Sequence, residues 1–454
     1  MEIYSVRPVE RPVAIEVEVP GSKSITNRAL LMAAMGKGES VLNGVLFSED
    51  SNYFLHALEN LGFQIEVKEK ERIVSIVGWG GQIPKKSAEV YVGSAGTAAR
   101  FLVAFLAMGD GVYHLDSSEQ MKKRPMRELL EALEQLGTKI IYQGEPYTFP
   151  MTIEGIGKDR PEEKRESAVV ELNIDRSSQF LSALLMAAPL RFSNLRIRLT
   201  GSRSARSYVE MTEQMMKQFG HPGVKRVDGN CYETEPGQYQ ARFYQIEPDV
   251  SAACYFYAMA AVTGGSTVVR HMRRESLQGD MKFLEVLEQM GCRVEWLPEG
   301  EDLSGQCNKE AVELQLRLTG PPDGRLRGIA VSFSDFSDQA LTMAVIAPYA
   351  DAPVTIQGIA HIRGQESDRI SVIHTELERL GIQCEETEDS ITVYPGEPLG
   401  ASIRTYDDHR VAMSFAIMGL RTEGIVIENP SCCKKTFPEY FTVLEHVCYS
   451  EKNR

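Results

Sequence analysis

Cysteine is missing from the first half of the chain. None occurs before Cys231, and the eight present (Cys231, Cys254, Cys292, Cys307, Cys384, Cys432, Cys433, Cys448) include no C-x-x-C pair. The adjacent Cys432 and Cys433 lack metal-ligand spacing, so the set reads as free thiols in a reducing compartment. Eight histidines occur without an H-E-x-x-H or a tight His/Cys cluster, and no metal is expected. Long apolar runs are also lacking. The longest, Phe180 to Leu190 and Leu341 to Ala350, fall short of the ~20 residues a membrane span needs. Glu2, Arg7, Glu10 and Arg11 interrupt any apolar stretch near the start, so neither a signal peptide nor a membrane anchor is expected. Positive charge is in deficit: a net charge of −14 argues against a nucleic-acid partner, whose footprint is a basic surface.

What is there fits a soluble cytoplasmic protein. At 454 residues the chain exceeds what one core serves, and two domains or more are expected. In so acidic a chain an anionic ligand has to meet locally concentrated cations. One such place is Pro20-Gly21-Ser22-Lys23-Ser24-Ile25-Thr26-Asn27-Arg28, where two hydroxyls and two cations crowd the start of an apolar helix. Unsatisfied N–H groups and the helix dipole favour a phosphate or carboxylate there. The turn is not a Walker loop, because Ser22 separates Gly21 from Lys23 and Glu16 stands where the first loop glycine would be. A capped surface helix with a salt-bridged Lys and Arg is the plain alternative.

A slow rhythm runs through the chain. A hydroxyl or carboxylate residue followed by about ten small or apolar residues begins near Ser24, Thr97, Ser178, Ser251, Asp338 and Asp408, at intervals of about 70 to 87 residues. An amphipathic helix follows each apolar one, and five of these end in a bulky residue plus glycine: Leu61-Gly62, Leu136-Gly137, Phe219-Gly220, Met290-Gly291 and Leu380-Gly381, a C-cap signal. Short alternating segments such as Ile73 to Val77, Val312 to Leu316 and Ser390 to Tyr394 read as strands. The expected fold is α/β: two similar domains, each of three βαβαββ units enclosing buried parallel helices. A helix apolar all round is buried on all sides. The halves divide near Glu233 to Tyr244, and Glu299 to Lys309 reads as a surface loop.

Four more segments repeat the opening logic. Val92-Gly93-Ser94-Ala95-Gly96-Thr97-Ala98-Ala99-Arg100 brings backbone close to a ligand at its glycines. Gln120 to Arg127 is a cationic loop before a helix, most of it read as a solvated face. Arg176-Ser177-Ser178-Gln179 sets hydroxyls and an amide at a helix start, and Thr405-Tyr406-Asp407-Asp408-His409-Arg410 does so with charges.

In order along nearly the whole chain, PGSKSITNRAL, GSAGTAARFL, MKKRP, SSQFLSALLMAAPL, SLQGD, ESDRI, TYDDHRVAMSFA and KKTFPEYF resemble the 3-phosphoshikimate 1-carboxyvinyltransferase (EPSP synthase) family of enolpyruvyl transferases. The resemblance implies domains of residues 21–245 and of 1–20 plus 246–454, the N-terminal strand crossing into the second, with the active site in the cleft between them. It implies transfer of the enolpyruvyl group of phosphoenolpyruvate to the 5-hydroxyl of shikimate 3-phosphate, in the shikimate pathway to aromatic amino acids. Neither metal nor organic cofactor is implied, a monomer is expected, and glyphosate, a phosphoenolpyruvate mimic, is implied as an inhibitor.

By matching position, Lys23, Ser24, Arg28, Ser177 and Ser178 resemble shikimate 3-phosphate ligands, and Lys23 also touches phosphoenolpyruvate. Gln179 lies between the substrates. Gly96, Arg124, Arg369, Arg410 and Lys435 resemble the phosphoenolpyruvate clamp, with Ser94, Thr97 and Arg100 on the same turn. Asp338 matches the proton acceptor, in preference to Asp335, and Glu366 the proton donor or shuttle, with Lys23 as the other catalytic candidate. His409 is expected as a hydrogen-bonded scaffold beside Arg410. Six cations against the negative charge of two phosphates and two carboxylates make a consistent count.

Three positions depart from the family pattern. Gln365 stands where many members carry lysine and His361 where many carry asparagine; both are expected against the shikimate moiety. Ala205 falls at a substrate serine, which Ser204 replaces if the loop shifts by one residue. The nearest rival, a UDP-N-acetylglucosamine enolpyruvyl transferase, normally carries a reactive cysteine in its first domain, which this chain lacks. A non-catalytic anion-binding relative is the other alternative.

Overall fold

Six helices carry almost no surface to water. In the computed structural model, which describes residues 2–158, 167–202, 206–298 and 314–449, the apolar segments form α1 (Lys23–Met35), α3 (Gly96–Ala107), α5 (Gln179–Ala187), α7 (Val250–Thr263), α9 (Ala340–Ile346) and α11 (His409–Met418). Every residue of α3 and α9 is buried. The amphipathic helices α2 (Glu49–Asn60), α4 (Arg127–Gln135), α6 (Arg206–Gln218), α8 (Lys282–Gln289), α10 (Arg369–Arg379) and α12 (Tyr440–Tyr449) each follow one of them. Their apolar stripes turn to the same cores, as with Leu129, Leu130 and Leu133 of α4. The segment 299–309, expected as a surface loop, lies outside the described residues.

Glycine ends five of the amphipathic helices in one way. Gly62, Gly137, Gly220, Gly291 and Gly381 all have φ between +74° and +106°, a region side chains avoid. In each case the glycine N–H bonds back three residues and the next N–H five: Gly62 to Glu59 and Phe63 to Leu58, Gly381 to Glu378 and Ile382 to Leu377. That is the Schellman arrangement, which satisfies the last carbonyls and turns the chain into the following hairpin.

The chain divides into two compact units, Gly21–Ile246 and Met1–Pro20 with Glu247–Arg454. Each of five four-stranded sheets joins one parallel strand pair to an antiparallel hairpin, and in three of them the parallel pair is the strand before a buried helix and the strand after it. Strand 87–91 thus pairs in parallel with 112–116, which pairs antiparallel with 151–154 and through it with 139–142. The α/β repeat read from the sequence is therefore present, but two first strands are exchanged. Ala14–Val17 precedes α1 yet pairs with 266–272, while Phe243–Gln245 precedes α7 yet pairs with 37–43. Asp249 N–H donates to Pro20 O at 2.8 Å, tying the two connections side by side. The sixth sheet has three strands, Ile3–Ser5 filling the antiparallel place beside 426–428, so the six units are not fully equivalent. The seven cysteines among the described residues are free. Among those residues no helix is long and apolar enough to cross a membrane.

Candidate active site

In the unit Gly21–Ile246, the first turns of α1, α3 and α5 come together. Arg28 in the second turn of α1 is 2 % exposed. Its Nε donates to Thr212 Oγ1 at 2.8 Å, Nη1 to Ser24 O at 3.0 Å, and Nη2 to Ser182 Oγ at 3.2 Å and Tyr208 O at 3.4 Å. The guanidinium also lies 5.2 Å from the centre of the Phe101 ring. Among the described residues its hydrogen bonds go only to neutral oxygens, and burial lowers its pKa to about 10. A cation so held keeps its charge available for an anion.

Beside it, Gln179 Nε2 donates to Thr97 Oγ1 at 3.0 Å and Arg100 Nη1 donates to Gln179 Oε1 at 2.7 Å. Arg100 Nη2 bonds Pro125 O, and Arg124 Nη1 bonds Ser94 O at 3.3 Å. A Cβ on Gly96 would lie 2.5 Å from Arg124 Nη1, so the missing side chain gives the guanidinium its place. Lys23 Nζ stands 3.7 Å from Asp50 Oδ2. Neither Ser22, Ala95 nor Ser178 caps its helix with a side chain; Ser177 Oγ accepts from Gln179 N–H at 3.3 Å. Of these three serines, Ser177 alone takes a helix-start N–H, while Ser22 and Ser178 make no cap bond.

The unit containing Glu247–Arg454 solves the same problem with carboxylates. Asp249 caps α7 through Ala252 N–H, and Asp408 caps α11 through Arg410 N–H at 3.0 Å. Arg369, 2 % exposed, begins α10 and makes five side-chain bonds. Nε and Nη2 donate to Asp408 at 2.8 and 3.2 Å, Nη2 to Glu366 Oε2 at 3.0 Å, and Nη1 to Asp338 Oδ1 at 3.4 Å and to Gln365 Oε1. Burial works against the charge of Arg369, but Asp408 and Glu366 outweigh it and raise its pKa. Arg410 Nη2 donates to Asp338 Oδ2 at 2.7 Å and Nη1 to Tyr255 OH at 3.3 Å. Lys435 Nζ, 5 % exposed, pairs with Glu366 Oε1 at 3.1 Å. Asp338 therefore bridges two arginines and Glu366 bridges an arginine and a lysine, two carboxylates set against three cations.

Of the positions read from the sequence, Ser24, Arg28, Ser94, Gly96, Thr97, Arg124, Ser177 and Gln179 fall in the first group, with Lys23 and Ser178 at the same helix starts. Asp338, Glu366, Gln365, Arg369, Arg410 and Lys435 fall in the second. His361 is joined to it through Nε2 and Ser337 Oγ at 2.7 Å. Gln365 turns its amide oxygen to Arg369, which shows what the neutral residue does there. Asp335 is apart, paired with Lys282 at 2.8 Å. His409 is buried with Nδ1 3.7 Å from Asp408 Oδ1, too long for a hydrogen bond. Lys122 pairs with Glu119, and Arg127 with Glu131 and the Tyr147 face. Ala205 and Ser204 lie outside the described residues. The count of six cations omitted Asp408, Asp338 and Glu366, which already oppose three of them. Sequence reading missed Thr212, Ser182, Tyr255 and Asp280; only Ser182, a lone hydroxyl inside an apolar helix, gave a signal. Among the described residues no cluster of three or more His, Cys, Asp or Glu could hold a metal ion.

The two ways of holding a buried arginine predict opposite results. Arg28→Met should leave the unfolding free energy in urea within about 1 kcal/mol of wild type, since an apolar side chain replaces a buried charge that has no counter-ion among the described residues. The same variant should lose the rise in melting temperature that inorganic phosphate gives the wild type. Asp408→Asn, which keeps shape and cap but removes a charge from Arg369, should cost about 3 kcal/mol in the same urea experiment.

A family model described as EPSP synthase (3-phosphoshikimate 1-carboxyvinyltransferase) matches residues 9–444. The 3-phosphoshikimate 1-carboxyvinyltransferase of Trichormus variabilis is 45% identical over 443 residues, covering 97% of this chain and 98% of that protein. The chloroplastic enzyme of Arabidopsis thaliana is 37% identical, with 96% and 83% covered. Among solved structures, the EPSP synthase of Acinetobacter baumannii superposes with a TM-score of 0.79 at 26% identity, covering 98% of each chain. The enolpyruvyl transferase NikO of Streptomyces tendae, at 13% identity and a TM-score of 0.71, covers 98% of this chain and 97% of its own and shares the fold. The chain belongs to the EPSP synthase family, the 3-phosphoshikimate 1-carboxyvinyltransferases.

Proposed function

We propose that this chain transfers the enolpyruvyl group of phosphoenolpyruvate to the 5-hydroxyl of shikimate 3-phosphate, releasing phosphate, as a cytoplasmic monomer of the shikimate pathway. The observation that carries the reading is Asp338 and Glu366 held among Arg369, Arg410 and Lys435, in a chain of this family. Lys23, Ser24, Arg28, Ser177 and Ser178 take shikimate 3-phosphate, and Gln179 meets both substrates. Gly96, Arg124, Arg369, Arg410 and Lys435 take phosphoenolpyruvate. The charge of Arg28, which among the described residues meets only neutral oxygens, suits the phosphate of shikimate 3-phosphate. Arg369 and Arg410 exchange contacts with Asp338 for contacts with the incoming carboxylate and phosphate, which frees Asp338 to act.

The chemistry then balances. The 5-hydroxyl oxygen bonds to C2 of phosphoenolpyruvate as its proton passes to Asp338, and C3 takes a proton delivered through Glu366. From the tetrahedral intermediate, a methyl proton returns to Glu366 as the bond from C2 to the phosphate oxygen breaks. Phosphate leaves with the proton that Asp338 had accepted. Buried cations neutralise the anion formed at each stage.

Phosphate release assayed with phosphoenolpyruvate and either acceptor decides the matter. Release is expected with shikimate 3-phosphate and not with UDP-N-acetylglucosamine. Release with the UDP-sugar alone points to the rival transferase, and release with neither to an anion-binding relative. Asp338→Asn should lower kcat by about 10²- to 10⁴-fold, the usual worth of a positioned base.

A further inference from the structure

A second carboxyl stands behind the base. Asp338 belongs to the single turn Ser337–Gln339 that leads into α9. Its neighbour Gln339, fully buried, donates from Nε2 to Asp280 Oδ1 at 2.8 Å and accepts from Thr342 Oγ1 at 3.2 Å. Asp280 is 5 % exposed and sits in the turn Gly279–Met281 before α8. Its backbone carbonyl is 3.9 Å from Cys254 Sγ on α7. Among the described residues no Lys, Arg or His comes within ion-pair distance of its carboxyl. A buried carboxylate with one amide donor and no cation is costly, and keeping its proton relieves that cost.

The groups that face Asp280 come from three directions. Asp249 and the Cys254 thiol lie on the α7 side, Asp338 on the turn before α9, and Arg410 on α11. Burial holds the Cys254 thiol protonated. Burial first and the charge of Asp338 second push the Asp280 carboxyl up to about 7, against the pull of Arg410 and the Gln339 amide.

We propose that Asp280, tethered through Gln339 to the residue beside the base, is a positioning residue for proton acceptance by Asp338. Neutral, it lets Asp338 stay ionised between Arg369 and Arg410. Ionised, its proton lost to solvent, it adds a negative charge behind Asp338 and strengthens that carboxylate as a base. The inference rests on the reading of Asp338 as the acceptor of the 5-hydroxyl proton.

The pH profile of kcat tests it. The wild type should show a limb that rises through about pH 7, and Asp280→Asn should flatten it, losing about tenfold at pH 8.5 for one unit of basicity, with the loss shrinking toward pH 6 and KM for both substrates little changed. Gln339→Leu removes the donor that favours the ionised form, so its limb should move to higher pH. A profile for Asp280→Asn parallel to wild type overturns the proposal, because a purely structural role lowers kcat at every pH alike. Infrared difference spectra give a readout without turnover: a protonated carboxyl band that fades through about pH 7 in the wild type and is missing in Asp280→Asn supports the proposal. A wild type without that band refutes it. Should the wild type fail to turn over the two substrates, the functional reading falls, and the band alone decides whether Asp280 holds its proton.

Discussion

A helix buried on every side still ends in N–H groups that need acceptors. Six such helices fill the two units of this chain, and the need recurs six times. Asp249 and Asp408 meet it from within, at the starts of α7 and α11. At the starts of α1 and α3 no side chain caps the helix, although Ser22 stands in the right place at the first. A protein can leave such ends open where a ligand anion supplies the acceptors. The repeat that builds the fold thus also sets the same demand at each helix start, and the repeats of α1 and α3 differ from those of α7 and α11 in bringing no carboxylate of their own.

The buried arginines follow the same division. Arg28 is gripped by hydroxyls and carbonyls that fix its direction without neutralising it. Arg369 is neutralised several times over by Asp408, Glu366 and Asp338. The first arrangement gives up folding energy to keep a charge available, since a buried cation without a counter-ion is costly. The second gives a cluster in which two carboxylates are fixed among three cations, and in which any incoming anion competes with side chains of the protein. Tyr255 and Ser367 tighten that cluster through Arg410 and Asp408.

Much of this was legible in the sequence because it is local. Buried helices show as runs of small and apolar residues, and the glycines that end α2, α4, α6, α8 and α10 show as a bulky residue followed by Gly. The exchange of Ala14–Val17 and Phe243–Gln245 was not legible from periodicity, because alternation marks a strand and says nothing of its partner. The cradle of Arg28 was hidden for the same reason: Thr212 and Tyr208 are some 180 positions away in the chain. Residue types announced cations and missed how they are balanced. Asp408 reads as a helix cap, and only geometry shows the same carboxylate holding Arg369.

Backbone amide spectra during addition of shikimate 3-phosphate test most directly whether the uncapped helix starts are where the ligand anion binds. Resonances of Ser24 and Ala98, at the open starts of α1 and α3, should shift, while those of Ala252 and Arg410, already bonded to Asp249 and Asp408, should hold still. Shifts at Ala252 and Arg410 with none at Ser24 and Ala98 would contradict the account.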